Sequence, residues 1–483
     1  MSTITLLGLG PGDANQLTRS AWEVLASAEE VWLRTRQHPC VAELPDSLTL
    51  HSFDALYENG TSFEQVYEQI TEQILDLGRR PQGVIYAVPG HPFVAEATTL
   101  QIARRARAEG LELRIVDGLS FLEPTFSALG LDPYPRLALF DALSLGQMHT
   151  PPFPPDLPVL VAQIYSRLVA AEVKTTLNSV YPDGHPVRLV HAAGTKDQGI
   201  EDLQLYEIDR SERLGLLSSL YVPPLAAGAS FESFQEIVAH LRAPDGCPWD
   251  REQTHESLRT HLLEESYEVI QAIDAGDASS VREELGDLLL QVVLHAQIAS
   301  EAGEFSTIDV IQSIQEKIIR RHPHVFGSLR LEGVDGVLQN WEKLKEAERK
   351  AGGQADRGPL DGVPLALPAL SQAQEYQDRA ARVGFDWPAV EGVLDKISEE
   401  IGEVQRAVDP PELAAELGDL LFALVNLARW KKVDAESALR EANQRFKRRF
   451  AVVEQGARVQ RRALSSLSLD EMESLWQEAK KRE

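Results

Sequence analysis

The sequence predicts a multidomain chain, with an N-terminal α/β domain of two subdomains followed by two all-α helical-bundle domains. Three observations predict it. Short apolar, β-rich runs alternate with helical patterns through the first part, which implies strands joined by helices and parallel pairing. Beyond Val222-Pro223-Pro224 the hydrophobic period becomes helical almost throughout, with Pro and Gly confined to connections. The helical region also repeats itself: Glu264–Val269 is echoed by Glu399–Val404, and Glu284–Leu289 by Glu416–Leu421. Two copies point to duplicated domains, because a solenoid needs more.

Element by element, Ile4–Leu9 reads as a buried strand, Gly8–Gly12 as a turn and Gln16–Ala28 as a helix. Gly83–Val88 is a second strand, closed by Pro89-Gly90-His91-Pro92 and followed by the helical stretch Val94–Ala108. Leu113–Val116, Val159–Ile164 and Pro186–Ala192 supply further strands. The proline-rich run Thr150–Pro158 is expected to cross between the two subdomains. In the helical half each copy runs from an acidic pair of helices into a basic stretch, Lys317–Arg321 and then Lys447–Arg449. The Gly-, Pro- and charge-rich stretch Glu348–Pro364 reads as a linker. The expected domains are therefore 1–225, 231–345 and 366–483, with 346–365 between the last two.

Composition narrows the function. The net charge of −27 over 483 residues argues against a duplex nucleic acid partner, which needs Lys and Arg to displace counterions. Phosphates remain open to an acidic chain if a divalent cation supplies the positive charge. Two cysteines, Cys40 and Cys247, stand far apart without metal-spaced neighbours, so neither a disulfide framework nor a zinc site is expected. The first residues lack a basic n-region and a long apolar run, and no stretch approaches the roughly 20 apolar residues of a membrane span. A cytoplasmic protein without a membrane partner is expected.

The carboxylates carry the chemistry. Residues three apart share a helix face, so Glu265 projects with Glu268 and Glu284 with Asp287. The second copy pairs Glu400 with Glu403 and Glu416 with Asp419. Consecutive helices joined by a short loop pack antiparallel and bring the two pairs of each copy face to face. Four converging carboxylates call for cations between them, and hard oxygen ligands select Mg²⁺, with Mn²⁺ as the alternative. A single EExxE is an ordinary solvated acidic face. The same arrangement twice in one chain, with Gly-Asp-Leu-Leu intact both times, favours a metal site. Mg²⁺ held by carboxylates is usually shared with substrate phosphates, and Lys447 and Arg448 could meet a polyphosphate. No Ser–His pair, reactive Cys or phosphate-cradling Gly-Lys-Ser/Thr loop is recognised, so metal-activated water is the economical nucleophile, with a carboxylate such as Glu399, Glu400, Glu403, Glu416 or Asp419 orienting it or taking its proton.

These residues carry a resemblance. The ordered motifs Gly246-Cys247-Pro248-Trp249-Asp250, Leu263–Glu268, Glu284–Asp287 and Arg320–Phe326 strongly resemble the MazG family of nucleoside triphosphate pyrophosphohydrolases. So do Val383–Trp387, Glu399–Glu403, Glu416–Asp419 and Phe446–Phe450. The resemblance covers 231–480 and implies hydrolysis of a nucleoside triphosphate to its monophosphate and pyrophosphate. It also implies Mg²⁺ on the EExxE…ExxD carboxylates, a four-helix-type fold and a homodimer through these domains. It makes the second copy the expected seat of activity. There Asn426 stands where the first copy has Leu294, and Lys396 where it has His261. Asn426, Lys396, Lys447, Arg448, Arg379 and Trp387 are the candidate substrate contacts. His322 is expected to cap its helix, and the tryptophans Trp249, Trp341, Trp387 and Trp476 to anchor cores or interfaces.

Gly8-Leu9-Gly10-Pro11-Gly12-Asp13, Tyr86–Pro92 and Asp117–Phe121 together resemble the tetrapyrrole (corrin/porphyrin) methylase family over residues 1–225. That resemblance implies two α/β subdomains with S-adenosylmethionine in the cleft between them. Gly8, Gly10, Gly12, Val88, Pro89, Gly90 and Ser120 would be its contacts, mostly through backbone. Gly90-His91-Pro92 departs from the family's common Gly-Asp-Pro, which sets methyl transfer to a tetrapyrrole in question more than the fold. An active S-adenosylmethionine-dependent methyltransferase with accessory MazG domains is the alternative reading.

Overall fold

The computed structural model describes residues 3–59, 62–351 and 358–481. Residues 352–357 of the expected linker lie outside the described residues. The chain divides into two compact units, residues 1–311 and 312–483.

The first unit opens with an all-parallel sheet. Its strands are β1 (Thr3–Gly8), β2 (Glu30–Leu33), β3 (Thr49–Ser52), β4 (Val84–Val88) and β5 (Glu112–Val116), in the order β3-β2-β4-β1-β5. Central β1 is apolar on both faces, as a strand covered by helices on either side must be, and Ile4, Leu6 and Leu7 are fully buried. The helices Arg19–Ser27, Phe63–Gly78 and Ala97–Ala108 begin at side-chain caps from Thr18, Ser62 and Glu96.

A second sheet holds β6 (Ala138–Asp141), β7 (Val159–Ala162), β8 (Pro186–His191), β9 (Gly199–Gln204) and β10 (Ser218–Val222), in the order β6-β7-β10-β8-β9. Here parallel pairing is restricted to β6 with β7. The loop 192–198 between β8 and β9 is too short for the crossover that a parallel pair requires, so these strands run antiparallel. The run Thr150–Pro158 does not cross between subdomains. It joins the helix Ala142–Gly146 to β7 within the second one, and its carbonyls accept from Ala138 and Leu225 there. Prolines have no N–H to leave unpaired, which suits such a rim.

The same unit continues into the helices Phe231–Arg242, His255–Ala275 and Ala278–Ala302, packed around Val238, Leu258, Val293 and Leu294. Gly276, at φ 67°, ends the second of these in a left-handed cap, and Asp277 caps the start of the third. The second unit holds the helices Gly333–Ala351, Ala369–Arg382, Val390–Arg406, Pro410–Trp430, Ala435–Val459 and Leu469–Lys481. His322 Nδ1 bonds the Ile318 carbonyl at 2.7 Å, the expected cap. Trp476 packs on Phe446, whereas Trp249 and Trp387 stay about half exposed and anchor no core.

Candidate functional site

Each carboxylate set sits on a helical hairpin whose turn is written in its sequence. In the second copy Asp409 accepts from the Glu412 N–H at 2.9 Å, and Pro410-Pro411 start the return helix where their missing N–H groups cost nothing. The turn is short, so Val390–Arg406 and Pro410–Trp430 lie antiparallel in contact. Carboxylate oxygens of Glu400, Glu416 and Asp419 come within 4.8 Å of one another. In the first copy the corresponding cluster is Glu265, Glu268 and Glu284. Each hairpin thus gathers three of the four expected carboxylates, and a different three. Glu403 and Asp287 are the ones outside.

Crowding shows in the electrostatics. Burial, with Glu403, Glu400 and Asp419 nearby, pushes the Glu416 carboxyl above its ordinary range. Burial, then Asp287 and Glu268, does the same to Glu265, and burial, then Glu268, to Glu284. Among the described residues no Lys or Arg pairs with Glu265, Glu268 or Glu284. Glu400 is 3% exposed, and its Oε2 is buried without a hydrogen-bond partner. Its Oε1 takes Lys396 Nζ at 2.7 Å, while Lys396 also reaches Glu399 at 3.2 Å. A buried carboxylate oxygen left bare beside two further carboxylates costs free energy unless a cation fills the gap. An all-oxygen donor set of this kind fits Mg²⁺ or Mn²⁺.

The other expected contacts are placed variously. Glu399 lies outside the cluster, tied to Lys396. Glu403 faces Arg406 at 3.7 Å. Asn426 Oδ1 accepts from Arg429 at 3.0 and 2.8 Å, so the side chain belongs to a network. Its other members are Arg429, which pairs with Asp386 at 2.5 Å, and Trp430, whose indole donates to Asp386 at 3.2 Å. Arg379 bonds Glu375 and the Asp361 carbonyl, and the Trp387 ring covers Gly392 closely enough that a Cβ there would sit 2.7 Å away. Lys447 and Arg448 are exposed on the helix Ala435–Val459. Of the candidate substrate contacts, Lys396 alone makes a polar contact with the cluster among the described residues. Arg429 escaped the sequence reading, and Asp386 stood in the Val383–Trp387 motif without a partner, because their pairing spans 43 residues and no local spacing signals it.

In the first unit the glycines serve close backbone approach. A Cβ on Gly8 would lie 2.5 Å from the Gly90 carbonyl oxygen, and one on Gly118 would lie 2.4 Å from it. Gly10 and Gly90 exchange both backbone hydrogen bonds, at 3.2 and 2.7 Å. A Cβ on Gly12 would meet Thr195 at 2.6 Å. Val88 is fully buried, and Ser120, 2% exposed, bonds Glu123. Pro89 and Gly90 reach a cavity of about 200 Å³, shared with Pro11, Phe121, Thr125 and Gln163. Gly90 holds a left-handed backbone at φ 69°, and a Cβ there would touch Ser120 and Leu119 at ordinary contact distance, 3.9 and 4.0 Å. His91 stands 3.4 Å from Asp117. Arg34 borders this cavity and the neighbouring ones of about 960 and 550 Å³, braced by Glu96 and by the Tyr57 hydroxyl.

Comparison with known proteins follows these divisions. The profile of the MazG nucleotide pyrophosphohydrolase domain matches residues 253–326 and again 389–453, one match on each carboxylate hairpin. The MazG nucleoside triphosphate pyrophosphohydrolase/pyrophosphatase of Thermotoga maritima is 46% identical over 254 residues, which are 53% of this chain and 97% of that protein. The chain belongs to the MazG family. In this MazG protein the tetrapyrrole (corrin/porphyrin) methylase profile also matches, over residues 3–209. A Bacillus subtilis relative, the uncharacterized protein YabN, is 42% identical over 489 residues and 99% of each chain, so the whole domain order is shared. A solved uroporphyrin-III C-methyltransferase from Thermus thermophilus is 21% identical over 46% of this chain and 93% of its own, with a TM-score of 0.37.

Proposed function

We propose that this chain hydrolyses nucleoside triphosphates to the monophosphate and pyrophosphate, mainly at the second carboxylate cluster. One observation carries the reading: carboxylate oxygens of Glu400, Glu416 and Asp419 lie within 4.8 Å of one another on a hairpin of MazG type, and Glu400 keeps a buried oxygen without a hydrogen-bond partner. The Thermotoga maritima and Escherichia coli relatives, each 46% identical, are named nucleoside triphosphate pyrophosphohydrolases. Mg²⁺ held there would neutralise polyphosphate charge and acidify a water. Glu400, Glu416 and Asp419 would hold it, with Glu265, Glu268 and Glu284 as the equivalent set. Glu403, outside the triad but beside Glu416, would orient the attacking water and take its proton. As the water oxygen bonds to phosphorus, the bridge between the α- and β-phosphates breaks and its electron pair leaves with pyrophosphate. Lys396, Lys447 and Arg448 would meet phosphate oxygens. Asn426 would act through Arg429 and Asp386 in shaping the nucleotide side of the site, with Arg379 and Trp387 at its entry.

The hairpins leave large apolar side chains exposed, among them Leu394, Ile401, Leu417 and Leu421 in the second copy and Leu263, Leu285 and Leu289 in the first. Such stripes support a homodimer through these domains. No helix among the described residues is long and apolar enough to cross a membrane, and we take the chain as a cytoplasmic protein with domains at 1–225, 231–345 and 366–483. The cavity lined by Pro89 and Gly90 supports S-adenosylmethionine as the ligand of the first domain. The test of the main reading is a panel of NTPs and dNTPs with Mg²⁺, followed by pyrophosphate release. Release of orthophosphate in place of pyrophosphate would overturn it.

A further inference from the structure

The two copies differ at a position that bears on how each takes its metal. Lys396 stands four residues before Glu400, with its ammonium on the buried carboxylate at 2.7 Å and on Glu399 at 3.2 Å. The second cluster therefore contains a resident cation. In the first copy the same position is His261, 3.7 Å from Glu264 and without an ion pair to Glu265. An imidazole is not a fixed positive charge.

Resting on the reading that both clusters take a divalent metal, we infer that Lys396 divides their roles. The first cluster binds free divalent cation tightly as a standing metal, and the second takes its metal chiefly together with the polyphosphate. A free divalent ion entering the second cluster meets the Lys396 ammonium about one ion-pair distance away, and that repulsion weakens binding on the order of tenfold. A metal arriving with a triphosphate brings the negative charge that removes this opposition. It also offers Lys396 a new partner, because the four-carbon stem of a lysine can swing its ammonium from Glu400 to a phosphate oxygen. The side chain is 39% exposed, which leaves it room to move, and Glu400 Oε2 is free to serve as ligand while Oε1 is released. The choice of third carboxylate agrees. The first cluster draws Glu265 and Glu268 from the helix that carries His261, whereas the second cluster, whose corresponding helix carries Lys396, draws Glu416 and Asp419 from the opposite helix.

The test is titration of the metal-free full chain with Mn²⁺ at pH 8, free Mn²⁺ being counted by electron paramagnetic resonance. Without nucleotide we expect two classes of site separated on the order of tenfold. Glu265→Gln removes the tight class and Glu416→Gln the weak one. Lys396→Met raises the weak class to merge with the tight one, and it weakens binding of an α,β-methylene deoxynucleoside triphosphate. His261→Lys lowers the tight class by a similar factor, with circular dichroism confirming that each variant is folded. Two equal sites in the wild type, or an unchanged isotherm for Lys396→Met, would overturn the division of roles. Absence of Mn²⁺ from both clusters would instead sink the metal reading on which it rests.

Discussion

Glu96→Ala probes the first unit and its independence from the second. Glu96 is almost fully buried, with its side chain 2% exposed, and it pairs with Arg34, whose side chain is 22% exposed. Its other oxygen accepts from the Thr98 N–H at 3.0 Å and the Thr98 hydroxyl at 2.5 Å, which caps the helix Ala97–Ala108. Tyr86 hangs on the same hydroxyl at 2.9 Å. Truncation leaves a guanidinium without its counter-ion, at a cost of about 3–5 kcal/mol for a buried pair. The partial exposure of Arg34 puts the value near the lower end. Loss of the cap adds about 1 kcal/mol. The sum of about 4 kcal/mol corresponds to a fall in melting temperature of roughly 6 °C for a unit of this size. Glu96→Gln retains an acceptor for Thr98 and should lose about 1 kcal/mol less. The double change Glu96→Leu with Arg34→Met removes both charges and should recover most of the loss. Thermal unfolding by circular dichroism measures all three, and pyrophosphate release at 25 °C should not change, because Glu400, Glu416 and Asp419 belong to the other compact unit. If Glu96→Ala melts within about 2 °C of wild type, or if the double variant is as unstable as the single one, the burial argument is wrong.

Four further outcomes are expected. Glu400→Gln or Asp419→Asn should lower pyrophosphate release by about a hundredfold or more, in line with loss of a metal-held charge, whereas Glu268→Gln should have a smaller effect. An equally large loss from Glu268→Gln would overturn the preference for the second copy. Glu403→Gln should lower kcat while leaving Mn²⁺ affinity at the second cluster within about twofold, since its carboxylate lies outside the triad; a parallel loss of metal would make it a ligand. Arg321, then Arg320, holds the Glu348 carboxyl down at about 2. A carboxyl lower in the folded chain stabilises it above the unfolded value of about 4.3 and loses that contribution as pH falls toward the folded value. Urea midpoints of wild type and Glu348→Gln should therefore converge between about pH 4.3 and 2, and a constant gap would refute the ion pair. Calorimetry should register S-adenosylmethionine binding to the full chain; no heat from the folded wild type would sink the cofactor reading.

Much of this was legible in the sequence, and the gaps have physical causes. The helical half was readable because a period of 3.6 and a duplicated motif reinforce each other, and caps such as Asp277 and Asp409 mark the helix starts. Strands β1, β4 and β5 were readable as apolar runs bounded by glycine. Strand β9, Gly199–Gln204, was not: it is an edge strand with charged residues facing solvent, and only its pairing with β8 makes it a strand. Strands β2 and β3 are four residues each, too short for a period to show. The antiparallel second sheet was missed because strand–helix alternation does not report which strands pair. At the site, spacing put all four carboxylates of each copy on facing helices. It could not tell that Glu403 would lie outside the cluster, or that Glu400 would be the buried one.

The difference in the third carboxylate follows from the same helices. Glu268 and Glu403 occupy equivalent positions, as do Asp287 and Asp419, yet the first copy draws in the glutamate and the second the aspartate. In the second copy Lys396 pairs with Glu400, Glu403 lies outside with Arg406 3.7 Å away, and the return helix supplies the remaining oxygens. The consequence is chemical. On the proposed reading, a carboxylate adjacent to the triad but not part of it would suit a water nucleophile's proton, and Glu403 is the group so placed. The first copy leaves Asp287 in that position, one methylene shorter and on the opposite helix. Both copies keep all four carboxylates, and the Lys396 ammonium on Glu400, absent at His261, is what sets the second cluster apart.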